Sequence, residues 1–214
     1  MGGQVDLGSW FDDTRWRSIC GGPVAVGEAF VPDWLPAVTD YVTLSSAHRM
    51  LLATDGSITR LLEAVSGRPI DARVLSQEDL PAPLALAGPL EVEPGHTVTF
   101  RLATLCDRDQ IVCVAGSVLV LDRLPPTVRA QLFTTTTPIG RIVVSSGVRA
   151  ERRSVSVDVA RPLRPLELFG PLEDDRFLVR ESRLVTEGRV IATIRECFPY
   201  AVFAYDFASA NGTR

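Results

Sequence analysis

Two charged residues stand inside stretches that otherwise read as buried strands. Arg101 interrupts Thr97-Val98-Thr99-Phe100-Arg101-Leu102, and Glu196 interrupts Ile191-Ala192-Thr193-Ile194-Arg195-Glu196-Cys197-Phe198. If Phe100 and Leu102 face a core, alternation turns Arg101 to the other side of the sheet, toward solvent or a covered pocket. In a pocket it is a fork for a carboxylate, and on a solvated face it is one more surface arginine. Glu196 shares its face with Ile194 and Phe198. A carboxylate in an apolar wall holds its proton more tightly, which suits acid–base work, whereas the plainer reading is a strand-edge Glu paired with a nearby Arg.

Two helix starts could complete such a site. One is Asp55-Gly56-Ser57-Ile58-Thr59-Arg60 and the other is Thr136-Thr137-Pro138-Ile139-Gly140-Arg141. The first turn of a helix presents unused N–H groups and the positive end of its dipole, so either start can hold a carboxylate. Most capped starts, however, do nothing beyond capping.

Other chemistries find little support. All 22 basic residues are arginine, which excludes Schiff-base lysine chemistry. Cys20, Cys106, Cys113 and Cys197 form no Cys-x-x-Cys pair and sit at no metal-ligand spacing from the two histidines, so they read as free, mostly buried thiols. His48 lies within an apolar helical pattern as a structural histidine, and His96 follows the turn signal Glu93-Pro94-Gly95 as an exposed one. Nothing calls for a metal or an organic cofactor. The net charge of -4 and the absence of a basic block argue against nucleic acid as the main partner. There is neither a secretion signal nor a run of membrane-spanning length, which predicts a cytoplasmic protein with no membrane partner. The expected partner is a small-molecule carboxylate; the pattern fixes no oligomeric state.

These residues need elements to position them. A helix is predicted from Leu44 to Leu52, and a second from Ile58 to about Val65, capped by Ser57 or Asp55 and stopped by Gly67. Asp71 to Ser76 is a short strand. His96 to Leu105 and Gln110 to Leu121 form a hairpin about Asp107-Arg108-Asp109. Pro125 and Pro126 open a short helix through Leu132, and Pro138 opens another that ends near Gly147. Ala150 to Ala160 alternates, with Val155, Val157 and Val159 on one face. A loop with a helical turn spans Pro162 to Pro171. Phe177–Val185 and Arg189–Cys197 make a last hairpin about Glu187-Gly188. Hairpins separated by short helices, without a strand-helix-strand rhythm, give an α+β class with an antiparallel sheet. Gly21-Gly22 lacks the flanking strand and helix of a nucleotide loop. The chain divides into an extension (1–43), a domain (44–200) and a tail (201–214).

Four blocks in this order resemble the chorismate pyruvate-lyase family, whose members make 4-hydroxybenzoate. Leu52-Ala53-Thr54-Asp55-Gly56-Ser57-Ile58-Thr59-Arg60-Leu61-Leu62-Glu63 is similar to its first active-site helix. Arg101 and the hairpin through Gly116 resemble its central hairpin and arginine. Thr137-Pro138-Ile139-Gly140-Arg141 resembles its Thr-Pro-Leu-Gly-Arg, and Glu181-Ser182-Arg183-Leu184 through Arg195-Glu196-Cys197-Phe198-Pro199 resembles its last hairpin. The resemblance implies a chorismate lyase-like fold, an antiparallel sheet with flanking short helices over a buried ligand site. It implies that Arg101 and the amides of Ile58 and Ile139 hold a ring carboxylate while Glu196 contacts the ring hydroxyl. It also implies an enzyme that converts chorismate to 4-hydroxybenzoate and pyruvate without a cofactor. Ile58 and Ile139 replace the family's Met and Leu, which is harmless if only their amides act, and Arg60 replaces a Lys. The added ends leave room for a same-fold enzyme recruited to another elimination or cyclisation in specialised metabolism. A non-catalytic carboxylate sensor, like those of GntR-type regulators, ranks third, because residues 1–45 are too short and acidic for a winged-helix domain.

Overall fold

The computed structural model describes residues 44–82, 84–134, 137–160, 167–169, 171–172 and 174–203. The extension 1–43, with Cys20 and Gly21-Gly22, and the tail beyond 203 lie outside the described residues.

Both predicted N-terminal helices form. In α1 (Ser46–Ala53) the Ser45 hydroxyl accepts from the His48 amide, while His48 Nδ1 accepts from the Ser45 amide, so two orphan donors are satisfied reciprocally. In α2 (Ile58–Ser66) Ser57 is the cap, and Gly67 ends the helix at φ 66°, where a side chain is disfavoured. Then come β1 (Asp71–Pro81), α3 (Leu84–Leu90), β2 (Thr97–Asp107), β3 (Gln110–Leu119), α4 (Pro126–Thr134), α5 (Ile139–Ser145), β4 (Glu151–Ala160), β5 (Phe177–Thr186) and β6 (Arg189–Pro199). A 3-10 turn at Glu167–Phe169 falls within the expected helical turn of Pro162 to Pro171. The class is α+β, as expected. Helix α3 was not anticipated, since Pro89 sits inside it.

The six strands form one antiparallel sheet in the order β1-β2-β3-β6-β5-β4. Two three-stranded meanders, β1-β2-β3 and β4-β5-β6, thus meet along the β3–β6 seam. Each is preceded by a short helix, α2 for the first and α5 for the second. On one face, α1 and α2 pack through Leu51, Leu52, Ile58 and Leu62 onto Leu105, Leu178 and Phe198. On the same face, α4 and α5 pack through Val128, Leu132 and Ile142 onto Leu184 and Ile194. Helix α3 covers the opposite face, where Leu86 and Leu90 meet Phe100, Leu102 and Val118.

Both edge strands carry a register shift at the same place along the strand. In β1 it falls between Val74 and Ser76, and in β4 between Ser154 and Ser156. The extra residues, Leu75 and Val155, are 41% and 42% exposed. Each shift is a one-residue bulge, a common way to make an open sheet edge unattractive to another strand. The bulge corrects the expectation that Val155, Val157 and Val159 share one face: Val157 is buried, and Val155 is pushed out of the alternation. Beyond a bulge the side-chain parity reverses. Ala72 and Gln77 therefore share a face of β1, and so do Arg152 and Val157 on β4.

Candidate functional site: a charged recess across the seam

The face beneath α2 and α5 contains a recess that straddles the seam. Ala103 and Leu105 of β2 and Ala115 and Ser117 of β3 form part of its floor, Ile194 of β6 the rest. Ile58 and Thr59 of α2, and Ile139 and Gly140 of α5, stand over it, so both expected helix starts reach the same space. Arg101, Arg152 and Glu196 supply its charge.

Arg101 is 2% exposed, so the solvated-face reading fails. Its Nη1 donates to Gln77 Oε1 at 2.8 Å and to the Leu132 carbonyl at 2.6 Å, and Nη2 donates to the Thr137 carbonyl at 3.1 Å. All three acceptors are neutral. Among the described residues no carboxylate pairs with this guanidinium, and burial alone lowers its pKa from the ordinary arginine value. Gln77 reaches it because the β1 bulge turns that side chain inward.

Glu196 is 4% exposed and lies at the other end. Its surroundings correct the expectation of an apolar wall. Oε2 meets Arg152 Nη1 at 3.1 Å and Arg180 Nε at 3.2 Å. The plainer reading of an ion-paired Glu is thus right about the partner but wrong about the place, because β6 lies at the centre of the sheet. No described residue hydrogen-bonds Oε1. Arg180, 1% exposed, donates Nη1 to the Leu51 carbonyl at 2.7 Å, and burial is the main cause of its lowered pKa, opposed by Glu196. Arg152 also donates to Ser182 Oγ at 2.7 Å.

Register gives the separation of the two ends. Arg101 stands opposite Ser117, Ser117 opposite Ile194, and Glu196 lies two residues further along β6. Two inter-strand steps and one two-residue rise put the Cα atoms about 12 Å apart. With both side chains projecting inward, the gap suits a six-membered ring with groups at opposite ends.

The amides of Ile58 and Ile139 belong to the first residues of their helices, where no intrahelical acceptor exists. Arg141 ties α5 to α2 by pairing with Glu63 at the rim. That pair gives the last residue of Thr-Pro-Ile-Gly-Arg a structural task. A Cβ on Gly140 would meet only Ser57 Oγ, at 3.7 Å, so the two helix starts approach closely without crowding.

The other chemistry-bearing residues lie elsewhere. Cys106, Cys113 and Cys197 are buried and in no disulfide, and burial pushes the Cys113 thiol well up. His48 is fully buried, with Nε2 on the Tyr200 carbonyl at 2.9 Å, as a structural histidine should be. His96 lies at the surface, 3.5 Å from Asp122. Among the described residues, no helix is long and apolar enough to cross a membrane. Sequence reasoning missed Gln77, Arg152, Arg180 and Ser182. Arg180 and Ser182 carried the signal that Arg101 carried, a polar residue inside a buried strand. Gln77 and Arg152 were hidden by the bulges.

Solved structures with this fold include the effector domain of PhnF from Mycobacterium smegmatis, at TM-score 0.54 and 21% identity, covering 67% of this chain and 88% of that one. A GntR-family regulator from Bacillus cereus aligns at TM-score 0.51 and 15% identity, covering 64% and 96%. At these identities the likeness concerns the fold. In sequence, the chain is 26% identical over 160 residues to the chorismate pyruvate-lyase of Mycobacterium tuberculosis, spanning 72% of this chain and 80% of the relative. It is 25% identical over 157 residues to that of Mycobacterium leprae, spanning 72% and 75%. The model of the family described as chorismate pyruvate-lyase Rv2949c-like matches residues 52–206, and the chain belongs to that family.

Proposed function

We propose that the protein is a chorismate pyruvate-lyase that uses this recess. The observation that carries the reading is the unequal treatment of its two ends. Arg101 is a buried cation with only neutral partners, and Glu196 is a buried carboxylate with one oxygen pinned and the other free. The ring carboxylate of chorismate supplies the counter-charge at Arg101, with the Ile58 and Ile139 amides as further donors. The ring hydroxyl then falls at Glu196 Oε1.

In the reaction, the ring carbon bearing the hydroxyl loses its hydrogen as a proton. The neighbouring ether C–O bond breaks, and its electron pair leaves with enolpyruvate. The ring becomes aromatic as 4-hydroxybenzoate, and enolpyruvate takes a proton on its methylene carbon to become pyruvate. Aromaticity provides the driving force, so the protein has to orient the substrate, hold its charge and steer one proton. Glu196 either carries that proton or polarises the hydroxyl beside it, and no cofactor takes part.

The test is purified protein with chorismate, with and without EDTA. Equal amounts of 4-hydroxybenzoate and pyruvate in the presence of EDTA are expected. No turnover by folded protein would pass the site to another carboxylate reaction.

A further inference from the structure

We infer that Arg152 is a recognition group for a second carboxylate, which makes the recess selective for dianions over monoanions. The inference rests on the reading of the site as a carboxylate pocket and adds a specificity to it. The described residues place two buried guanidiniums, Arg101 and Arg180, and that of the half-buried Arg152 against the single buried carboxylate Glu196. Glu196 offsets one charge, and the exposed carboxylate of Asp55 acts on Arg180 as a smaller influence. One negative group at Arg101 offsets a second, and the recess still carries positive charge at Arg152, where incomplete compensation is costly.

Arg152 is the member of the trio free to take that group. Its side chain is only 7% exposed, and it lines the recess, which Arg180 does not. Nη1 is occupied by Ser182 and by Glu196 Oε2. Nε and Nη2 have no hydrogen-bond partner among the described residues. These donors sit beside Glu196 and across the floor from Arg101. A ligand carboxylate there belongs to a substituent next to the ring position that meets Glu196, not to the position that meets Arg101. An ether-linked carboxylate on the carbon neighbouring the hydroxyl satisfies this, and it departs with the leaving group. A ring product left with one carboxylate then loses its hold on Arg152.

The probes are meta-(carboxymethoxy)benzoate, which carries a ring carboxylate and an ether-linked one, and meta-methoxybenzoate, which lacks the second. By calorimetry on the full chain, the first is expected to bind at least about tenfold tighter, the lower end of what one charge-assisted hydrogen bond supplies. In Arg152→Met that preference is expected to shrink to about twofold while meta-methoxybenzoate affinity holds within about threefold, and Arg152→Lys is expected to restore part of it. A wild type with no preference, or a variant that keeps it, overturns the inference. So does equal weakening of both ligands, which would make Arg152 a brace for Glu196. A wild-type preference lost in Arg152→Met, without chorismate turnover, upholds the dianion site while the lyase reading fails.

Discussion

The two halves of the sheet are built alike and charged differently. Each is a helix followed by a three-stranded meander, each has a bulge in its edge strand, and each buries an arginine in its middle strand, Arg101 in β2 and Arg180 in β5. In the first half the arginine is held by an amide oxygen and two carbonyls. In the second, Arg180 and Arg152 share one carboxylate. Neutral dipoles orient a cation without cancelling it, whereas an ion pair orients the carboxylate and consumes charge. On the proposed reading, the first half is then the end that binds the ring carboxylate and the second the end that holds the reacting group.

The largest effect is expected at the chemical end. Glu196→Gln strands two buried guanidiniums, which costs up to about 3–5 kcal/mol of stability, seen as a lower midpoint in urea unfolding. It should also abolish most turnover. Arg101→Ala is expected to cost about 1.5–3 kcal/mol in transition-state binding, roughly a 10- to 150-fold fall in kcat/KM carried by KM. Because its partners are neutral, it should destabilise less than Glu196→Gln. A larger loss of stability than in Glu196→Gln would erase the contrast between the halves.

A smaller effect marks a residue outside both ends. His48 is held neutral by geometry, accepting at Nδ1 from the Ser45 amide and facing the Tyr200 carbonyl with Nε2. Burial lowers its pKa below the ordinary histidine value of about 6.5. The unfolded chain therefore binds a proton that the folded chain refuses. Stability is full above that value and falls as pH drops below it, by up to about 1.4 kcal/mol per pH unit until the folded pKa is reached. Thermal midpoints of the wild type and His48→Gln between pH 7 and 5 should show this slope shrinking in the variant. The smallest effect is expected at the rim: Arg141→Gln breaks an exposed ion pair with Glu63 and should change stability by under about 1 kcal/mol.

Much of the fold was legible in the sequence because its signals are local. Ser57 and Gly67 bracket α2, Glu187-Gly188 turns the last hairpin, and Pro138 opens α5. Arg101 and Glu196 stood out as charges in apolar strands. What alternation could not supply was parity across a bulge. Counting by twos from Val157 places Arg153 on the recess face, yet Arg152 is the residue there, because Val155 is extruded. The same slip brings Gln77 rather than Ser76 to Arg101. Bulges answer to sheet edges and pairing, which no local pattern declares. Helix α3 escaped for another reason: Pro89 lies inside it and reads as a breaker, having no N–H to give to the helix ladder.

The most direct test of the central claim is steady-state kinetics of Arg101→Ala and Glu196→Gln on chorismate, read beside their unfolding curves. The division of labour requires Arg101→Ala to raise KM with kcat largely kept, and Glu196→Gln to collapse kcat while the protein is still folded. Full activity in either variant, or the reverse split, would contradict it.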